Sequence, residues 1–263
     1  MQSAIDITWL QLALFSITLV IPLAISRYYQ LQMNREILIA TVRMAVQLTL
    51  VGLYLQFVFE LNSVALNITW LVIMVLIGGS AIIDKANLPK KRLMIPVVSG
   101  LFIGLLPVIL LLCFYVIEPS PWYSAQYLIP ISGMLLGNSL SGNIVALQNL
   151  YDAFEQRKDE YHAALSLGAS VKYASVPFVR TAMQKALAPI LASMTTTGLV
   201  TLPGMMTGQI LGGASPLLAI KYQLVIMIAI FVMMSISLTV SLQLSIKQTI
   251  TKEGKVLIKF IKK

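Results

Sequence analysis

Asn138 and Asn143 stand inside one long apolar run and Arg43 and Gln47 inside another. Thr197, Thr201 and Gln209 flank a Leu-Pro-Gly-Met-Met block in a third. Polar side chains at membrane depth can solvate a small solute where water cannot, or hydrogen-bond one helix to its neighbour. Little else in the chain could do chemistry. The one histidine, His162, falls in a connecting segment, and the one cysteine, Cys113, reads as a small core residue. Met134, Met205 and Met206 are thioethers, which suit Cu(I) better than iron, so no tightly bound metal is expected. There is no Ser/His/Asp constellation, no pair of intramembrane aspartates and no His-Glu-x-x-His, so the chain reads as no enzyme. It also lacks Gly-x4-Gly-Lys-Ser/Thr, so it carries no cofactor, and any ATP and magnesium would sit in another polypeptide.

These residues need a frame that holds polar atoms in hydrocarbon. Of 263 residues 58% are hydrophobic and 11% charged, with a mean hydropathy of +0.85, which excludes an ordinary soluble domain and a disordered chain. Seven runs approach the roughly 20 residues that a helix needs to cross the hydrocarbon core: 9–25, 37–59, 68–83, 95–117, 127–150, 187–213 and 216–246. They are continuous rather than alternating, which predicts helices and not barrel strands. The expected fold is an all-α integral membrane protein, a bundle of about seven transmembrane helices forming a single domain over 1–263. Seventeen of the nineteen Lys and Arg fall in alternate loops and the tail. The positive-inside rule then puts the N-terminus outside and the C-terminus in the cytoplasm. The same asymmetry accounts for the net charge of +9 without a nucleic-acid partner. No Lys or Arg precedes the first run, so it reads as a span rather than a cleaved signal. The basic tail, 247–263, mixes lysines with Val256, Leu257, Ile258, Phe260 and Ile261, and reads either as lying along anionic headgroups or as solvated.

The one large cytoplasmic segment is 151–186. It opens with charged residues including Glu160, and continues His162-Ala163-Ala164-Leu165-Ser166-Leu167-Gly168-Ala169-Ser170. Alanine and leucine predict a short helix, Gly168 a turn, and the following apolar spacing, interrupted by Pro177, a second helix returning to the membrane. It is either a docking elbow for a separate motor protein or an ordinary amphipathic connector. In the fifth run Gly133, Gly137 and Ser141 form a small-residue stripe beside Asn138, and in the sixth Gly204, Gly208 and Gly212 form another beyond Pro203. Each stripe could pack helices closely or line a path, and Pro203 predicts a kink that is structural or functional. Arg43 pairs inside the bundle, faces a cavity or snorkels to the interface.

The elbow resembles the coupling loop of ABC transporter permeases, an Ala-Ala pair followed by three residues, a glycine and a small residue: here Ala163, Ala164, Gly168 and Ala169. His162 stands where an acidic residue usually precedes the alanines. Arg43-x3-Gln47, Ile129-Pro130-Ile131-Ser132-Gly133-Met134 with Gly137-Asn138, Leu165-Ser166-Leu167-Gly168-Ala169 and Gly198-Leu199-Val200-x-Leu202-Pro203-Gly204-Met205-Met206-x-Gly208 follow in order, then Ala219-Ile220-Lys221-Tyr222-Gln223. Together they resemble the FetB-type iron-export permease family. The resemblance implies a permease of the inner (plasma) membrane that works as a homodimer with two cytoplasmic ABC ATPase subunits, exporting iron in the context of metal homeostasis and oxidative-stress resistance. Similar plant permeases are tied to aluminium tolerance. Residues 160–170 would couple to the ATPase, and Arg43, Gln47 and the motif residues of the fifth and sixth runs would line the path or pack it. The rival readings are an ion-gradient-driven secondary transporter and a non-transporting membrane anchor for an ATPase.

Overall fold

The computed structural model describes residues 6–258 and 260. Helix α1 covers Trp9–Tyr28, α2 Asn34–Leu61, α3 Val64–Lys85 and α4 Lys90–Val116. Helix α5 covers Ala125–Gln156, α6 Lys158–Ser166, α7 Val171–Thr196, α8 Gly204–Leu211 and α9 Pro216–Thr249. There is no strand among the described residues, only two isolated β-bridges. The expected all-α membrane fold is thus present, with six helices, α1–α5 and α9, long and apolar enough to cross a bilayer.

The expected sixth run, 187–213, is not one helix. Helix α7 stops at Thr196, residues 197–203 form a tight loop closed by a bridge between Thr197 and Thr201, and α8 restarts at Gly204. Three causes act together. Gly198 takes φ +90, which a helix cannot use, and the Thr197 hydroxyl donates to its own Ser193 carbonyl at 2.7 Å. Pro203, expected as a kink, instead precedes the first residue of α8 in an extended conformation. Pro177 does not interrupt its helix; α7 runs through both Pro177 and Pro189.

The core is built around α9, which packs along α4 and α5, with α3 closing the other side. Glycines permit the closest of these approaches. A Cβ at Gly100 would lie 2.8 Å from the Ser237 carbonyl and 2.9 Å from the Ser241 nitrogen, and one at Gly104 2.8 Å from the Met233 carbonyl. On α9 the facing positions, Ser237, Ser241, Ser245 and Thr249, recur every four residues and are all buried. Small residues at a seam let backbones approach closely, which is how helices associate in lipid. Within one chain, the stripe glycines singled out from sequence make no such close approach. A Cβ at Gly137, Gly204 or Gly208 would meet nothing within 4 Å, one at Gly133 would touch only the Met74 side chain, and one at Gly212 only carbonyls of its own segment.

Helices α1 and α2 bury only Ser26 and Val58. The end of α2 is held by Tyr54 against Trp70, ring centroids 4.5 Å apart, and by Asn62, whose Oδ1 accepts from the Ala125 backbone N–H at 2.9 Å. The tail also departs from expectation. Lys247 still belongs to α9, and Val256 bridges back to Ile250 while Ile258 is buried and Phe260 packs on the core. Val256, Ile258 and Phe260 therefore serve the bundle, whereas Leu257 is exposed. Residues 259 and 261–263 of that segment lie outside the described residues.

Candidate functional site

The elbow forms as its sequence suggests, and what anchors it is aromatic. Helix α5 overruns the expected span end by six residues, carrying Phe154 clear of the apolar run. Phe154 stacks on Phe178 of α7 at 4.7 Å, and Tyr161 of α6 meets both edge-on, at 5.1 and 5.9 Å. Arg157 lies 4.9 Å over the Phe178 ring and clasps Glu160 through both carboxylate oxygens, Nε donating at 2.8 Å. The Glu160 carboxylate raises the already high Arg157 pKa, and burial pushes the Tyr161 hydroxyl up. Aromatic contacts of this geometry add to simple area burial. We expect Phe178→Ala to cost about 3–5 kcal/mol, enough to free α6 from its anchor. Faster amide exchange across Lys158–Ser166, with α4 and α9 unchanged, would register it.

The turn after α6 places Gly168 at φ +88, in space open enough that an added Cβ would meet nothing within 4 Å. Ser170 caps α7, its hydroxyl accepting from the Tyr173 N–H at 3.3 Å. Ala164, Leu165 and Ala169 face the bundle, whereas Glu160, His162, Ala163, Gly168 and Ser170 face out, and Leu167 is 89% exposed. A depression of about 280 Å³ beside Leu167 is floored by Ala164, Ala169, Ala174 and Phe178. An outward apolar knob next to a shallow socket, on a helix whose other face is pinned, can take a partner and pass its motion to α5 and α7.

The membrane candidates divide. Asn143 is buried and donates to the Ser237 hydroxyl at 3.1 Å, joining α5 to α9. Asn138 is exposed and its amide donates only to its own Met134 carbonyl, at 2.8 Å. Met134, Pro203, Met205 and Met206 are half-buried, as is Thr197, while Thr201 is exposed. Arg43 and Gln47 stand exposed on α2, and no ion pair reaches Arg43 among the described residues. One chain thus leaves Gly137, Asn138 and Ser141 open on α5, and does not gather the candidates into one enclosed site. No group of three or more His, Cys, Asp or Glu suited to a metal occurs among the described residues. Two features escaped the sequence reading: the Phe154–Tyr161–Phe178 clasp and the Gly100–Gly104 seam. Aromatic residues seven and seventeen positions apart, across two helix breaks, give no periodic signal.

A family model described as Uncharacterised protein family (UPF0014) matches residues 9–250. The chain belongs to the UPF0014 family. The UPF0014 membrane protein YjkA of Bacillus subtilis is 32% identical over 219 residues, covering 83% of this chain and 86% of YjkA. Protein ALUMINUM SENSITIVE 3 of Arabidopsis thaliana is 31% identical over 214 residues, 80% of this chain and 76% of that protein. The Probable iron export permease protein FetB of Escherichia coli K12 is 30% identical over 221 residues, 84% of each chain. No solved structure matches. The family match spans every UPF0014 element described above, so the resemblance to FetB-type permeases holds across the chain and the protein is a multi-pass membrane protein.

Proposed function

We propose that this chain is the membrane-spanning permease subunit of an ABC transporter, exporting iron or another metal or metal chelate with energy from a separate cytoplasmic ATPase. The observation that carries this reading is the elbow, a nine-residue helix outside the bundle with Leu167 presented outward and Tyr161 clasped between α5 and α7. The name of the Escherichia coli relative, an iron export permease, supports the transport role and the substrate class. ATP and magnesium belong to the partner, since the chain has no phosphate-binding loop.

In this reading closure of the ATPase pair pushes on Ala163–Ser170. The clasp transmits the push to α5 and α7, and the loop at 197–203 lets α7 move against α8. Two copies of the chain face each other, bringing Gly137, Asn138 and Ser141 of α5 to a shared surface with Thr197, Thr201 and Met205. Amide, hydroxyl and carbonyl oxygens there are hard donors suited to iron(III) or a chelate. The alternating basic loops support a cytoplasmic elbow and an N-terminus outside the inner membrane. The test is co-purification with the cognate ATPase and stimulation of its turnover by the permease in liposomes. Gly168→Trp puts a bulky side chain at a left-handed position and should abolish both; intact coupling in that variant would overturn the assignment.

A further inference from the structure

On the basic side of the bundle, between the start of α7 and the end of α9, lies a groove of about 990 Å³. Its cations are Lys172 and Arg180 on α7, Lys247 in the last turn of α9, and Lys252 just beyond; all four are exposed and no Asp or Glu lines the groove. Its depth relative to the bilayer follows from contacts between the helices. Gly142 lies beside the Ala186 carbonyl and Phe154 stacks on Phe178, so α5 and α7 run antiparallel, and Tyr151 falls level with about residue 180. Tyr151 in turn bonds the Thr249 hydroxyl at 3.0 Å, and Gln148, one turn below it, reaches the Lys85 carbonyl at 3.2 Å. Arg180 therefore stands at the plane where α3 and α9 leave the apolar zone, together with Lys247. From there Met183, Leu187 and Leu191 carry the groove inward along α7, opposite Leu244 of α9. Eleven residues of helix span about 16 Å, close to the ~15 Å hydrocarbon depth of one leaflet.

Cations at the headgroup plane above an apolar slot one leaflet deep describe an amphiphile of negative charge. We infer that this groove is a binding site for an anionic phospholipid of the basic-side leaflet, its headgroup lying among Lys172, Arg180, Lys247 and Lys252 and an acyl chain laid along Met183, Leu187 and Leu191. Basic pockets between transmembrane helices recognise acidic headgroups in this manner. A protein partner with an acidic rim would meet the charge but not the slot, and a second copy of this chain, with its net charge of +9, would bring a like-charged surface to it. The bound lipid would wedge α7 against α9 beside the elbow. The site stands whether or not the chain transports metal, needing only the membrane-embedded bundle.

The experiment is lipid retention. The full-length protein in nanodiscs of equal phosphatidylglycerol and phosphatidylcholine is extracted into mild detergent, and bound phospholipid is measured by native mass spectrometry. We expect phosphatidylglycerol to be held at least tenfold over phosphatidylcholine. The variant Lys172→Gln/Arg180→Gln/Lys247→Gln/Lys252→Gln should lose that preference, while Lys91→Gln/Arg92→Gln/Lys185→Gln, basic residues outside the groove, should keep it. All seven side chains are exposed, so both variants should fold. Leu187→Trp fills the slot without changing charge and should also lower retention. Equal retention of the two lipids by the natural chain, or equal loss in both charge variants, would overturn the proposal. So would an efficient disulfide between two copies carrying Leu191→Cys, which would make the groove a contact between copies.

Discussion

Gly100→Leu should yield no folded protein, whereas Gly137→Leu should fold as well as the natural chain. The two glycines look alike in sequence, each four residues from another small residue within an apolar run. Their surroundings differ completely. At Gly100 the first added carbon already crowds the Ser237 carbonyl and the Ser241 nitrogen of α9, and the backbone of a 34-residue helix cannot step aside as a side-chain tip can. Overpacking typically costs about 1–3 kcal/mol where side chains can yield, and here they are not the obstacle, so the cost is higher. At Gly137 nothing lies within 4 Å. Size-exclusion profiles of detergent-solubilised protein separate the outcomes: a monodisperse peak for Gly137→Leu and aggregate for Gly100→Leu. If α5 faces a second copy, Gly137→Leu should also lose transport while keeping its peak, because the added side chain stands on the shared surface.

The second large effect is at the elbow. Leu167→Asp should weaken binding of the cognate ATPase by about thirtyfold or more, the consequence of removing an apolar anchor worth ~2 kcal/mol and burying a charge in its place. The permease itself should be untouched, since Leu167 is 89% exposed and contributes nothing to the core. Titrating purified ATPase against the variant in nanodiscs measures the affinity, and an unchanged melting temperature shows that the fold is intact. Phe178→Ala makes an informative contrast, because it leaves Leu167 in place but unpins α6. ATPase binding should survive there better than stimulation of turnover, separating docking from transmission.

Much of the frame was legible because membrane spans are encoded locally, in run length and in where the lysines stop. The elbow was legible too: Ala163, Ala164 and Gly168 set a helix and a left-handed turn within a few residues. What sequence could not disclose was pairing over distance. Gly100 matters because of Ser237 and Ser241, more than 130 residues later, and no periodicity on α4 points to them. The small residues of α5 and α8 have the spacing of a packing seam, yet spacing states only what a face permits, not what meets it. The block around Pro203 was read as a kink from the proline's missing N–H. Gly198 and the hydroxyl of Thr197 end the helix five or six residues earlier. In the tail, Val256, Ile258 and Phe260 have the composition of a lipid-facing strip, and only the bridge to Ile250 turns them inward.

That folded-back tail reaches the elbow itself: Gly254, at φ +84, sits so close against the Leu165 side chain that a Cβ there would overlap it. A pull on the tail at Gly254 therefore reaches α6 through Leu165. A fluorescent protein or affinity handle fused after that tail would load this contact, whereas α1 buries only Ser26 and transmits little to the bundle.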